Sequence, residues 1–299
     1  MQKLRVNLWM NGTGEEAGNF YADALPGSSM EVESRYPTEG LLDFQQPLAG
    51  QALTVAVYVR GQRITLVNAG PDFTPNPSIS LMLNFDPADY EGSVDAARAD
   101  LDATWAKLSA GGQVLMELGE YPYSPRYGWV QDKYNVSWQL ILSGPEGDPR
   151  PFVMPSLLFG GAAQNRAAEA VAHYKEVFGA REGMFVTYPE PTGPAAAGSV
   201  MFSDFALDDD WVTAMDSGVE QDFSFTPGVS LEWPCDGQEE LDRVWDAMSA
   251  VPEAEQCGWL ADKFGVSWQI VPANLGELMS RPNAFEHMMG MKKLVIDEF

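Results

Sequence analysis

The chain has 299 residues, 45% of them apolar and 11% aromatic. A single hydrophobic core stops growing near roughly 250–300 residues, so two domains are expected and intrinsic disorder is excluded. Eighteen Lys and Arg against forty-three Asp and Glu give a net charge of −25. That charge repels nucleic-acid phosphates and anionic lipid headgroups, and no segment approaches the roughly 18 apolar residues of a membrane span, so nucleic acid and membrane are excluded as partners.

The first ten residues run straight into a strand pattern without a cleavable apolar segment, which points to a cytoplasmic protein. Hydrophobic period then predicts a strand over 5–10 and a helix over 15–25, with Ala17, Phe20, Tyr21 and Ala24 on one stripe. Strands follow over 30–36, 53–59 and 63–68, the last two joined by a tight turn at Arg60-Gly61-Gln62. A second module repeats the plan: a strand over 78–84, a helix over 94–108 entered after Ser93, a strand over 113–118, and a hairpin of 127–131 with 136–141.

The chain then repeats itself. GWVQDKYNVSWQL (128–140) returns as GWLADKFGVSWQI (258–270), with eight identities in thirteen positions at an offset of 130. Trp105 in LDATWAKLSA matches Trp245 in LDRVWDAMSA at an offset of 140, and Ser80-Leu81 matches Ser230-Leu231 at 150, a shrinkage attributed to shorter loops in the second copy. The boundary falls in SGPEGDPRP (143–151), where Gly and Pro interrupt both helix and strand. The reading is an α+β protein of four βαβββ modules in two pairs: copy one over 1–145, copy two over 150–285, and a C-terminal tail over 286–299. Paired modules of this kind suit two half-open barrels, each with a concave interior and helices outside.

The segments LLFGG (157–161), HYKEVFG (173–179), LVNAGPDF (66–73), NPSIS (76–80) and QCGWLADKFGVSWQIVP (256–272) resemble the vicinal oxygen chelate superfamily of glyoxalases, dioxygenases and bleomycin-resistance proteins. Within it they resemble the PhnB-like, or 3-demethylubiquinone-9 3-methyltransferase-like, branch. The resemblance implies the fold just described, with single-copy relatives forming dimers; the fused copies would then be an internal pseudo-dimer, leaving a further homodimer open. Two departures stand out: copy one lacks the Gln-Cys pair before its Gly-Trp, and copy two has Asp216 where copy one has Asn68.

Metal-using members of the superfamily are expected to hold a divalent ion with His and Glu from the first and last strands of paired modules. Here the last strands read Ser137-Trp138-Gln139 and Ser267-Trp268-Gln269, the first strands of the second modules offer Ser80 and Ser230, and the ends of the first modules offer Asn68 and Asp216. Amides and hydroxyls are weak ligands for zinc, nickel or iron, so neither metal nor other cofactor is expected. If a metal site existed, Asp216 and Glu232 would mark it, and Gln269→Glu would improve it provided those two acids share its space. A methyltransferase would need a Gly-rich strand-to-helix turn in a parallel sheet; Gly12-Thr13-Gly14 and Gly160-Gly161 precede helices but sit in a different kind of module.

Strand alternation puts Ser137 and Gln139 on one face and Val136, Trp138 and Leu140 on the other, with the same division at 266–270. The expected ligand-binding residues are therefore Asn68, Ser80 and Gln139 in copy one and Asp216, Ser230 and Gln269 in copy two. They would orient a small polar molecule by hydrogen bonds, or else simply satisfy one another. No catalytic residue is assigned. His173 and His287 read as packing or surface residues, the Asp-Lys pairs at 132–133 and 262–263 as turn formers, Trp138 and Trp268 as core, and Cys235 and Cys257 as inert thiols. The functional expectation is a glyoxalase-like protein acting on or binding a small polar metabolite, with a sequestering module and a methyltransferase as alternatives.

Overall fold

A computed structural model describes residues 2–39, 41, 43–144 and 149–299. The centre of the predicted boundary, residues 145–148, lies outside the described residues. The first module comprises β1 (Arg5–Met10), α1 (Gly14–Ala24), β2 (Ser28–Arg35), β3 (Ala52–Val59) and β4 (Gln62–Asn68). The second has β5 (Ile79–Phe85), α2 (Val94–Leu108), β6 (Gln113–Tyr121), β7 (Ser124–Gln131) and β8 (Ser137–Leu142). The third has β9 (Val153–Phe159), α3 (Ala167–Phe178), β10 (Arg181–Thr187), β11 (Val200–Leu207) and β12 (Asp210–Asp216).

The fourth module is shortened to β13 (Val229–Cys235), α4 (Gln238–Met248), β14 (Trp259–Ala261) and β15 (Ser267–Pro272), with α5 (Leu275–Leu278) and α6 (Ala284–Gly290) after it. A single 3₁₀ turn at Pro252–Ala254 occupies the stretch between helix and hairpin that in copy one holds β6. The ten residues lost between Trp105/Trp245 and Gly128/Gly258 are thus a missing strand and not only a shorter loop.

The strands form two open sheets of mixed direction, ordered β14-β15-β13-β1-β4-β3-β2 and β10-β11-β12-β9-β5-β8-β7-β6. Pairing is antiparallel between β2 and β3, β3 and β4, β6 and β7, β7 and β8, and β5 and β9, and parallel between β5 and β8 and between β13 and β15. This is an α+β arrangement and not a doubly wound parallel sheet. By internal contacts the chain forms two compact units, one of Asn7–Leu158 with Trp211–Thr213, the other of Met1–Val6, Phe159–Asp210 and Ala214–Phe299.

Local chemistry sets the elements. Ser93 caps α2 by accepting the Ala96 N–H on its hydroxyl, and Asp95 and Lys107 lie at the ends of that helix that favour their charges. In the unit holding copy one, Trp138 is fully buried on the helix-facing side of β8 and packs 5.3 Å from the ring of Tyr21 on α1. A β-carbon at Gly128 would lie 2.6 Å from the ring of Trp105 on α2, so the glycine of the Gly-Trp motif is the floor on which a helix indole rests. In the other unit Trp268 is likewise buried, stacked 5.2 Å from Phe178 and edge-to-face with Tyr174 of α3 at 5.3 Å.

Candidate ligand-binding faces

In the copy-one unit the predicted residues come from neighbouring strands. Ser80 lies opposite Ser137 on β8 and opposite Ser156 on β9, and Met82 lies opposite Gln139 and Met154. The hydroxyls of Ser80 and Ser137 are 2.9 Å apart, and the Trp129 indole N–H donates to Ser137 at 2.7 Å. Gln139 donates through Nε2 to Ser156 (3.2 Å), and its Oε1 accepts the Tyr127 hydroxyl (2.9 Å). Ser80, Ser137 and Ser156 have no exposed surface and Gln139 is buried, so each polar group here meets another. Burial and the neighbouring tyrosines 121 and 123 push the Tyr127 hydroxyl far above its usual pKa, keeping it a neutral donor.

The sheet that holds β13 and β15 of copy two has the same register and different chemistry. Ser230 is opposite Ser267, and Glu232 is opposite Gln269, the position that Met82 holds against Gln139. Gln269 donates to the Ser230 hydroxyl at 3.0 Å. The Tyr127 that holds the carbonyl end of Gln139 is matched by Cys257, and Gln269 stays half-buried. Glu232 is buried and takes the Arg5 guanidinium at 2.9 Å. Where the other sheet sets Met82 of β5 opposite Met154 of β9, this sheet therefore carries an ion pair between β13 and β1, flanked by Gln269 and, opposite it on β14, Trp259.

Asn68 and Asp216 are placed elsewhere, at the first turns of helices. Asn68 accepts the Gly14 N–H at 2.9 Å and donates to the Ala52 carbonyl at 2.8 Å. Asp216 accepts the Ala167 N–H at 3.1 Å and the Val200 N–H at 2.8 Å, and burial raises its pKa against those hydrogen bonds. The two residues perform matching anchoring roles in the two copies and are not brought together with the serines and glutamines. Arg5 escaped the sequence reading. Its only signal was a cation in β1 at a place where β9 has Met154, visible once the strands are aligned through their partners.

Asp132 and Asp262 lie in hairpin turns as expected, yet they are buried. Asp132 accepts from Tyr21 (2.8 Å), the Trp138 indole (2.8 Å) and the Tyr134 and Val136 amides, and Asp262 from Tyr174 (2.6 Å), the Trp268 indole (3.0 Å) and the Phe264 and Val266 amides. His173 packs 5.9 Å from the Phe264 ring, and burial lowers its pKa. Burial pushes the Cys235 thiol up to about 12 and raises that of Cys257, so neither is poised as a thiolate. An open depression of about 540 Å³ is lined by Arg60, Gln62, Asp89, Arg150, Pro151 and Phe152, but Arg60 is already paired with Asp89 at 2.9 Å and stacked 4.1 Å from the Phe152 ring.

The donor set does not fit a divalent metal. Among the described residues no three His, Cys, Asp or Glu side chains converge, and the carboxylate of the copy-two face already holds a guanidinium. Nor do the glycines cradle a nucleotide-like methyl donor. A β-carbon at Gly160 would meet the Gln221 side chain at 2.9 Å, and one at Gly161 the Phe223 carbonyl at 2.8 Å, so the space over these glycines is filled by the chain itself. Among the described residues no helix is long and apolar enough to cross a membrane.

Tandem strand–helix–strand modules in two mixed sheets define a glyoxalase-like protein of the vicinal oxygen chelate fold. The family model of 3-demethylubiquinone-9 3-methyltransferase matches residues 2–141 and again 151–271, and the chain belongs to that family in two copies. A putative 3-demethylubiquinone-9 3-methyltransferase, PhnB protein, from Bacillus cereus is 31% identical over 48% of this chain and 100% of its own, with a TM-score of 0.39. Protein PA1353 from Pseudomonas aeruginosa is 22% identical over 46% of this chain and 94% of its own, with a TM-score of 0.36. Glyoxalase I from Zea mays is 12% identical over 92% of this chain and 94% of its own, with a TM-score of 0.55, a likeness of fold. No curated protein sequence matches the chain.

Proposed function

We propose that the protein is a cytoplasmic glyoxalase-like protein that binds a small polar metabolite, without a tightly held transition metal, on the copy-two face formed by Arg5, Ser230, Glu232, Trp259 and Gln269. The observation that carries this reading is the Arg5–Glu232 pair of β1 and β13 standing where the other sheet has Met154 of β9 and Met82 of β5. An ion pair with one partner buried and the other part-exposed contributes little to the stability of a sheet, and apolar residues of similar size often do better. The other sheet shows an apolar solution at the same place, so the fold itself does not require the charges. Arg5 keeps guanidinium N–H groups beyond the one given to Glu232, and these would receive an anionic or carbonyl oxygen of the ligand. Gln269 and Ser230 would orient the rest, Trp259 would supply an apolar wall, and Glu232 would hold the guanidinium in place. Ser80 and Gln139 of copy one would serve as internal packing, as would Asn68 of copy one and Asp216 of copy two at the starts of their helices. Methyl transfer, as in the family's name, has no support in the arrangement of the glycines.

The test is a thermal-shift screen of small oxo- and hydroxy-acids, amides and S-adenosylmethionine against the wild type and Arg5→Met/Glu232→Met. Stabilisation by an oxo- or hydroxy-acid that the double variant loses supports the reading. Stabilisation unchanged in the double variant, or given only by S-adenosylmethionine, overturns it.

A further inference from the structure

Copy two lacks the strand that flanks its final hairpin, and another segment stands in its place. In copy one β6 lies along β7 with Gly119 opposite Tyr127, and Tyr127 matches Cys257. At Cys257 the chain makes a tight turn in which Gln256 and Trp259 exchange backbone hydrogen bonds of 3.1 and 2.8 Å, with left-handed φ of +50° at Cys257 and +85° at Gly258. The N–H groups of those two residues need acceptors. The carbonyls of Met291 and Lys292, from the C-terminal segment, accept them at 2.9 and 2.8 Å.

The far end of that segment is fastened. Leu294 is fully buried over Gly258, and the Gln238 side chain clamps the Leu294 carbonyl (3.1 Å) and the Ile296 N–H (2.8 Å). The near end is held differently. Of residues 284–293 only Ala284 and Met291 are buried, and α6 starts from Asn283 with φ +60°; besides the two backbone bonds, the Met289 carbonyl accepts the Gln256 side-chain amide (2.8 Å), Lys292 donates to the Pro252 carbonyl (2.9 Å), and Lys292 and Lys293 add ion pairs to Glu255 (3.4 Å), Asp242 (2.9 Å) and Asp246 (3.4 Å) that salt screens. Beneath it the Cys257 sulfur lies 3.7 Å from that of Met289.

We propose that residues 284–293 form a strap, hinged at Asn283, that partly covers the rim of the copy-two face at Cys257 and uncovers it when the Lys292 and Lys293 ion pairs are released. The proposal rests on the copy-two reading only for the identity of what is uncovered. Its test needs no ligand and so fails or succeeds apart from that reading: labelling of the two thiols of the full chain by N-ethylmaleimide, followed by mass spectrometry. Cys235 has no exposed surface and reports global opening. Relative to the wild type at low salt, Cys257 should label about tenfold faster in about 0.5 M NaCl and in Lys292→Ala/Lys293→Ala, with Cys235 unreacted, because local opening governs access to a covered group. Equal Cys257 rates in all three conditions would overturn the proposal, as would labelling of Cys235 in step with Cys257.

Discussion

The hydroxyl of Tyr21 donates to the carboxylate of Asp132 at 2.8 Å, and this bond ties α1 to the turn between β7 and β8 across 111 residues of chain. Copy two reproduces it between Tyr174 and Asp262 at 2.6 Å. Each acid gathers four donors in a buried turn, so the repeated Asp is a knot joining helix, turn and terminal strand. Removing one donor leaves a buried acceptor short of a partner. Tyr21→Phe and Tyr174→Phe should each cost about 1.5–3 kcal/mol in urea unfolding, the range for hydrogen bonds to charged groups. A loss below about 0.5 kcal/mol in both, within the ordinary scatter of surface substitutions, would show the knot to be incidental.

The same acids set a pH dependence. Burial raises the pKa of both Asp132 and Asp262 despite the hydrogen bonds that pull it down. With a folded pKa above the unfolded value of about 3.9, the folded state binds the extra protons; the contribution is fully present below about pH 4 and is lost as pH rises through the raised folded pKa. Asp132→Asn/Asp262→Asn should flatten that part of the stability profile while lowering stability overall, because the amide cannot accept from all four donors. An unchanged slope between pH 4 and neutrality, from denaturant midpoints, would contradict the assignment.

Close packing makes a separate prediction at Gly128. The Trp105 ring occupies the space of a β-carbon there, so Gly128→Ala should destabilise by about 1–3 kcal/mol through overpacking, and Trp105→Leu should reduce that penalty. Gly276 in α5 has open space around it, and Gly276→Ala should be neutral or stabilising by up to about 1 kcal/mol. Paired unfolding curves distinguish the two sites, and equal effects would refute the steric account.

Periodicity made most of this architecture legible. The bounds of β1 and α2 agree with their hydrophobic patterns, and Ser93 announces its helix. Features set by distant partners were hidden. The shrinking repeat offset reads equally well as a trimmed loop or a lost strand, and only the 3₁₀ turn at Pro252–Ala254 decides it. Alternation separates Gln139 from Trp138, whereas the hydrogen bonds that commit Asn68 to Gly14 and Asp216 to Ala167 arise when the chain brings strand ends to helix starts 54 and 49 residues away. Arg5 and Glu232 are 227 residues apart, beyond any local pattern.

That pair yields a stability prediction apart from ligand binding. Glu232→Met alone strands the guanidinium of a part-exposed Arg5 and should cost about 1–3 kcal/mol, less than the full penalty for a deeply buried pair because solvent reaches Arg5. Arg5→Met/Glu232→Met introduces the residue types found at the matching place in the other sheet, Met154 and Met82, and should recover most of the loss or exceed wild-type stability. Calorimetric midpoints of the two variants compare directly, and a double variant less stable than the single one would mean that the charges serve the fold.

The last prediction concerns metal. Glu232 and Gln269 face each other across parallel strands, so Gln269→Glu would set two carboxylates side by side. Asp216, the other acid that would mark a metal site in this copy, is instead committed to the Ala167 and Val200 amides, and the Arg5 guanidinium already sits against Glu232. A divalent ion there would have two carboxylates, one hydroxyl and an adjacent positive charge, a set too sparse and too cationic for tight binding. Purified wild type and Gln269→Glu should therefore both carry far less than one equivalent of zinc, nickel, manganese or iron by elemental analysis. Arg5→Met/Gln269→Glu, freed of the competing cation, should bind Mn²⁺ measurably more tightly than Gln269→Glu in calorimetric titration. Near-stoichiometric metal in the wild type, removable by chelator with loss of an activity, would overturn the metal-free reading and make Glu232 a ligand.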